Sequence, residues 1–196
     1  MKFLRFATAA LFALTLLSGC KDAAGPSGGS SPAAKAPVTV SAIEAEAKGF
    51  TVGSPMSTRT VYVFFDPQCP HCAVLWQAAK PLRSQAKFVW IPVGIINKSS
   101  VTQGGTILAA KDPAAAMDEH ENSILAKKGG IGASGDADAQ KAAIEKNTAL
   151  MTRFGFASIP TIVALHAQTG ALVTNEGALP TPELAKLLGL QVPSGQ

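Results

Sequence analysis

From Thr60 to Phe65 the chain reads TVYVFF, where every position after the first is apolar or aromatic and two are β-branched valines. Such a run predicts a strand buried on both faces. Asp66-Pro67 breaks it, and a helix is expected from near Cys69 through Ala73, Leu75, Trp76 and Ala79, kinked at Pro81. Upstream, the Ala/Glu-rich stretch Ser41 to Lys48 predicts a helix, and Phe50-Thr51-Val52 a short extended piece. Lys87 to Gly94, KFVWIPVG, predicts a second strand. Pro92 has no N–H to give to a ladder, which predicts that this strand lies at a sheet edge.

Downstream the period changes. From Gly104 to Gly155 the pattern is helical, over Ile107 to Ala110, Pro113 to Ala126 and about Asp138 to Phe154, with GGIGASGD (129–136) as a flexible loop. Two short apolar runs, 160–166 and 171–175, flank Gln168-Thr169-Gly170 and predict a hairpin. Thr181-Pro182-Glu183 predicts a helix start, with the Thr181 hydroxyl as cap, Leu184, Leu187 and Leu188 as the buried stripe and Gly189 as the stop. A parallel pair joined through a helix, then an antiparallel pair and a closing helix, makes this an α/β chain with the order of a thioredoxin fold carrying a helical insertion at about 104–137. No internal repeat is evident.

The N-terminus changes the domain count. Lys2 and Arg5 precede an apolar run from Phe6 to Leu17, followed by Leu17-Ser18-Gly19-Cys20. That is a charged segment, an apolar segment and a processing site. The run is shorter than the roughly 20 residues a membrane-spanning helix needs. Leu-Ser-Gly-Cys resembles the bacterial lipobox, so residues 1–19 are expected to be a lipoprotein signal and Cys20 a lipidated first residue, with lipid-anchored membrane attachment. Residues 21–37, KDAAGPSGGSSPAAKAP, hold no Val, Ile, Leu or aromatic residue, so 20–38 is expected to be a flexible tether reaching roughly 20 to 25 Å. The folded domain is then 39–196. Lys21 followed by Asp22 slightly favours the outer membrane under the enteric sorting rule.

Charge adds little. Taking Lys2 and Arg5 from the 17 basic residues leaves 15 against 13 acidic ones. No basic stripe interleaved with aromatics stands out, so no nucleic-acid partner is expected.

Cysteines decide more. With Cys20 assigned to lipid, Cys69 and Cys72 are the two thiols left. A structural disulfide gains most by closing a long loop, and one joining residues three apart closes almost none. Haem attachment needs histidine directly after the second cysteine, but Ala73 stands there. A closed zinc site wants four ligands; Cys69, His71 and Cys72 supply three, and no second Cys-x-x-Cys exists. His120, in Asp118-Glu119-His120-Glu121, reads as part of a solvated face, and His166 as a surface or locally satisfied histidine. No metal and no cofactor are expected.

Redox exchange remains. At a strand-to-helix junction, Cys69 meets unpaired backbone N–H groups and the positive end of the helix dipole, which favour the thiolate. Its titration is expected in the range of about 3.5 to 7.5. Cys69 is the expected exposed nucleophile; Cys72, one turn further in, is expected to stay protonated until it resolves a mixed disulfide. His71 can add positive charge or a hydrogen bond, which would make the disulfide more oxidising.

VYVFFDPQCPHC (61–72) resembles the active-site strand and helix of the DsbG/DsbC-like periplasmic thiol:disulfide interchange proteins, nearer to DsbG. The resemblance continues through Ile107-Leu108-Ala109-Ala110-Lys111-Asp112-Pro113 to Ala157-Ser158-Ile159-Pro160-Thr161, and covers about residue 41 to the end. It implies that Cys69 attacks and Cys72 resolves, that Pro160 is cis and faces the pair, and that the backbone of Ile159 pairs with the substrate peptide. Three departures accompany it. Residues 39–59 are too few for that family's N-terminal dimerisation domain, so a monomer is expected. Ile159 stands where those isomerases carry threonine. Pro70-His71 is the dipeptide of the oxidase DsbA. The expectation is a thiol-disulfide oxidoreductase on the periplasmic face of the cell envelope, acting on thiols and disulfides of exported proteins, with a membrane redox partner to reset it. An isomerase or reductase kept reduced by a membrane donor is the alternative, and a metal-binding or chaperone-like module a further one.

Overall fold

The structure, a computed structural model, describes residues 35–134 and 136–192. The expected signal, the lipidated Cys20 and most of the expected tether lie outside those residues. The tether's last part does not hang free: Ala36 N donates to Arg153 O at 2.9 Å, and Ala36 and Val38 pack on the domain.

The elements run α1 (Val40–Glu46), β1 (Phe50–Gly53), β2 (Thr60–Phe65), α2 (Pro70–Ala79), β3 (Lys87–Pro92), α3 (Lys98–Ala109), α4 (Pro113–Leu125), α5 (Ala137–Arg153), β4 (Thr161–Leu165), β5 (Leu172–Glu176) and α6 (Thr181–Leu188). The sheet order is β1-β3-β2-β4-β5, with β2 and β3 parallel and the other pairs antiparallel. Alternation along β2 explains the layers. Val61, Val63 and Phe65 join the cluster that takes Cys72, Leu75 and Trp76 from α2 and Leu184 and Leu188 from α6. Tyr62 and Phe64 turn to the opposite cluster, with Ile43 from α1 and Leu150, Met151 and Phe154 from α5. Helices therefore cover both faces of β2, as its uninterrupted apolar run requires.

β3 corrects an expectation: it lies inside the sheet, between β1 and β2, and β1 forms the edge. Pro92 is tolerated because of where its nitrogen points. Val93 N donates to Phe65 O at 2.8 Å, so the Pro92 nitrogen faces the β1 side, where β1 does not reach: its first residue, Phe50, lies opposite Trp90. The Pro92 carbonyl is met instead by Asn147 Nδ2 of α5 at 2.9 Å. Pro81 ends α2 rather than kinking it: the chain passes into a 3₁₀ turn, Lys80–Leu82.

α3 begins well before the expected Ile107. Asn97 caps it, accepting from Ser99 N at 2.8 Å, while Ser100 Oγ accepts from Asn97 N at 3.2 Å. Its buried face is Ser100, Gln103, Gly104, Gly105 and Ile107, mostly without apolar side chains. Gly105 allows α3 to approach α5 closely; a Cβ there would lie 2.5 Å from Ala137 O. At α6 the Thr181 hydroxyl is no cap: it donates to Ala78 O of α2 at 2.8 Å, and Pro180 holds the cap position. Leu184 and Leu188 are buried, with Ala185 between them and Leu187 half-buried, and Gly189 ends the helix at φ 68°.

Candidate active site

Asp66 builds the turn that carries the dithiol. The side chain is fully buried; Oδ1 accepts from Gln68 N at 2.8 Å, and Oδ2 from Ile95 N at 2.8 Å and Ile96 N at 3.0 Å. One carboxylate thus ties the end of β2 to the loop after β3. Cys69 N donates to Asp66 O at 3.0 Å, which closes the turn. Cys69 is then the N-cap of α2 with no side-chain cap bond, and Pro70 opens the helix where a missing N–H costs nothing.

Cys69 and Cys72 are both free thiols. Cys72 has no exposure, and Cys69 keeps 5%, so the expected exposed nucleophile is narrowly accessible rather than open. Cys69 Sγ lies 3.9 Å from Ile159 O, and the Ile159–Pro160 peptide is cis. Pro160 is buried and Ile159 half-buried, while Pro70 and His71 are exposed. The structure thus brings Cys69, Pro70, His71, Cys72, Ile159 and Pro160 together.

The two thiols are driven apart in acidity. A hydrogen bond from Cys72 is the main influence lowering Cys69, to about 6; burial opposes it, and the amides of Cys72 and His71 and the His71 charge assist. Cys72 is pushed well above its ordinary value, first by burial and then by its bond and proximity to Cys69. At neutral pH the pair is a thiolate beside a protonated thiol, which is the charge state that opens thiol–disulfide exchange.

The inserted helices grip the same turn. Gln68 Nε2 donates to Gln103 Oε1 of α3 and, at 3.1 Å, to Gly129 O; Asn97 Nδ2 donates to Gln68 Oε1 at 3.3 Å. His120 corrects an expectation, since it is fully buried and not part of a solvated face. Its Nε2 donates to Pro67 O at 2.6 Å and its Nδ1 accepts from Ile131 N at 3.2 Å, a neutral ring engaged at both nitrogens. Burial lowers its pKa, against the pull of the Pro67 carbonyl. The first half of the expected flexible loop is therefore pinned: Gln103 Nε2 also donates to Gly129 O and Ile131 O, at 2.8 and 3.0 Å. Gly130 sits at φ 89° with no room for a Cβ, which would lie 2.4 Å from the His120 ring. His166, by contrast, is satisfied locally, accepting from the amides of Gln168 and Thr169.

Glu121 is buried too, and burial first, then the nearby Cys69 and Asp66 charges, raise it to about 9. Sequence reasoning missed Asp66, Gln68, Gln103, His120 and Glu121 as parts of the site. A signal existed for two of them: Met117 and Ile124 are seven apart, and His120 and Glu121 fall between them at the i+3 and i+4 positions of the same helical face. Among the described residues, no group of three or more His, Cys, Asp or Glu side chains is arranged to hold a metal ion, and no helix is long and apolar enough to cross a membrane.

Known proteins are similar to this chain in sequence and fold. The thiol:disulfide interchange protein DsbG of Pseudomonas aeruginosa is 34% identical over 139 residues, which are 70% of this chain and 54% of that protein. DsbG of Escherichia coli is 42% identical over 65 residues, 32% of this chain and 26% of that protein. The chain spans about half the length of the first of these curated relatives and about a quarter of the second. Among solved structures, the thiol-disulfide exchange protein alpha-DsbA2 from Wolbachia pipientis has the same fold, with a TM-score of 0.57 at 18% identity over 72% of this chain and 86% of that one. The family described as thioredoxin-like domain matches residues 54–191. By that match, which takes in β2, α2, the dithiol and the cis-proline turn, the chain belongs to the thioredoxin-like domain family.

Proposed function

We propose that the protein is a thiol-disulfide oxidoreductase that exchanges disulfides with cysteines of exported proteins through Cys69-Pro70-His71-Cys72. The carrying observation is a Cys69 thiol lowered to about 6, set 3.9 Å from the Ile159 carbonyl beside a thiol that burial keeps protonated. In this reading the Cys69 thiolate attacks a substrate disulfide and forms a mixed disulfide. Cys72 then attacks Cys69 and releases the substrate. The backbone of Ile159, next to Pro160, holds the substrate chain in extended form across the pair. Half-exposed Ile95 and Ile96, tied through their amides to Asp66, and half-buried Ile159 give the site an apolar rim suited to an unfolded polypeptide.

A Cys69 thiol near 6 lies between the about 7 of thioredoxin and the about 3.5 of DsbA. A thiolate stabilised in this way makes its disulfide a better oxidant than that of an ordinary thiol pair. Such a poise fits interchange in either direction, with a membrane redox partner to reset the pair. We further propose attachment of the domain, as a monomer, to the periplasmic face of the cell envelope through lipid on Cys20.

The full chain should catalyse reduction of insulin by dithiothreitol and reactivation of scrambled ribonuclease. Cys69→Ser should reduce both to the uncatalysed rate. Catalysis by Cys69→Ser equal to that of the parent chain would remove the assignment.

A further inference from the structure

The rim of the dithiol is charged on one side, and Gln68 marks that side. This residue directly precedes Cys69, and its side chain joins two loops: Oε1 accepts from Asn97 Nδ2 at 3.3 Å, and Nε2 donates to Gly129 O at 3.1 Å. Lys98 follows Asn97, while Lys127 and Lys128 precede Gly129, and all three lysines are exposed. Three positive side chains therefore leave the backbone within one or two residues of the groups that hold the neighbour of Cys69.

Their local settings do not account for them. Lys98 opens α3, where the helix dipole disfavours a positive charge, and no acidic residue stands in that first turn. The depression it borders holds one acid, Asp138, and a second lysine, Lys141. Lys127 has φ 58°, a left-handed backbone that glycine adopts at less cost, and it is the one non-glycine residue with positive φ among the described residues. The dipole of α4 would be served by a lysine in its last turn, yet that turn has no basic residue and both lysines come after the Ala126 cap. Among the described residues the ion pairs are Lys80–Asp118 and Arg153–Glu46, so none of the three is paired with a carboxylate. Glu119, the exposed acid of α4, stands about two turns back from Lys127.

An apolar track leads from the dithiol to the lysines. Helices α2 and α4 are joined by Gln77 Nε2, which donates to Asn122 Oδ1 at 3.1 Å. One turn nearer the dithiol on α2 stands Val74, and one turn further along α4 stands Leu125, both nearly half exposed. Beyond them come exposed Pro70 and His71 on α2, and Lys127 and Lys128 after α4. Asp118, the acid beside this seam, is already paired with Lys80 at 2.6 Å and bonded to Trp76 Nε1 at 2.7 Å. A surface that is apolar between its helices, basic at one end and continuous with the reactive thiol fits an extended polypeptide that carries acidic side chains. Anionic lipid headgroups would meet the charge equally well. Two half-exposed aliphatic residues offer little to insert into a bilayer, however, and a bilayer lying there would close over the narrowly accessible Cys69.

We propose that Lys98, Lys127 and Lys128, set around Gln68, make the dithiol prefer polypeptide segments whose reactive cysteine lies within about four residues of aspartate or glutamate, an extended chain advancing about 3.3 Å per residue. Val74 and Leu125 seat apolar side chains of the same segment. The inference rests on the interchange reading above and names the substrates that reading favours. Because the lysines are exposed, their attraction acts mainly on encounter and is weakened by salt.

The test is the rate at which the reduced full chain reduces three symmetrical peptide disulfides that differ only three positions before and three after the cysteine, where they carry glutamate, glutamine or lysine. At about 20 mM salt the glutamate peptide should react about tenfold faster than the lysine peptide, with the glutamine peptide between them, and at about 0.5 M salt the ratio should fall to about twofold or less. Replacing all three lysines, as Lys98→Gln/Lys127→Gln/Lys128→Gln, should bring the low-salt ratio to about twofold, and Lys127→Glu/Lys128→Glu should invert it. Lys146→Gln/Lys186→Gln, which removes two exposed charges from α5 and α6, should keep the parent ratio. An equal loss in that control would overturn the inference, because net charge alone would then produce the preference. Reduction of all three peptides at one rate by the parent chain would overturn it and leave the interchange reading standing, whereas reduction of none would overturn both. One rate for all three, joined to slower reduction on phosphatidylglycerol vesicles than on phosphatidylcholine vesicles, would assign the lysines to a lipid surface and overturn it as well.

Discussion

The segment from β2 to α2 and the inserted helices α3 and α4 meet at the turn before Cys69, yet they are built on opposite rules. Strand β2 and helix α2 are apolar where they are buried, and their one chemical feature, the dithiol, sits at the junction between them. α3 and α4 send polar groups inward: Gln103, His120 and Glu121 are all buried, and Gln103 and His120 bond to the turn before Cys69. The first region places the cysteines; the second fixes the turn that carries them and alters the charge around them. In a thioredoxin-like frame the insertion is therefore more than decoration on the sheet.

The most severe way to break this division is to remove its central peg. His120→Leu keeps the bulk but leaves the buried Pro67 carbonyl and the Ile131 amide without partners. Each such orphan costs about 1–3 kcal/mol, so with two of them the variant should be about 2–6 kcal/mol less stable in urea unfolding. A midpoint equal to the parent's would mean that α4 does not hold the turn.

A smaller effect separates the two regions by the sign of their pH dependence. Glu121 is raised from 4.5 to about 9, so its contribution is fully present below pH 4.5 and is lost as pH rises through about 9. Cys69 is lowered from 9.0 to about 6, so its contribution is present above pH 9 and is lost as pH falls through about 6. Between pH 6 and 9 the two oppose each other in the reduced chain. In Glu121→Gln the Cys69 trend alone remains, and Tm of the reduced variant should rise relative to the parent as pH goes from 6 to 9. A constant difference between the two curves would deny that Glu121 titrates in that window.

The same contrast explains what could be read from residues alone. β2, α2 and the β4–β5 hairpin follow apolar periodicity and turn residues, and they appear where those signals put them. The start of α3 was hidden because its buried face is serine, glutamine and glycine, which no hydrophobic pattern registers. The solvated-face reading of Asp118-Glu119-His120-Glu121 holds for Glu119 alone: Asp118 is half-buried and bonded to Trp76 Nε1, and His120 and Glu121 are buried, through partners distant in sequence. Pro92 misled for a similar reason, because whether a proline is tolerated in an inner strand depends on where the neighbouring strand stops. The dithiol was legible because its spacing and its place at a strand-to-helix junction are local; its control was not, because it arrives from about 50 residues away.

The central claim, that this junction holds Cys69 as a stabilised thiolate beside a protonated Cys72, is most directly tested by alkylating the reduced chain with iodoacetamide across pH 4 to 10 and locating the modified cysteine by mass. Modification confined to Cys69, with a midpoint near pH 6, is the expected result. A midpoint near the ordinary value of 9.0, or equal modification of Cys72, would contradict it.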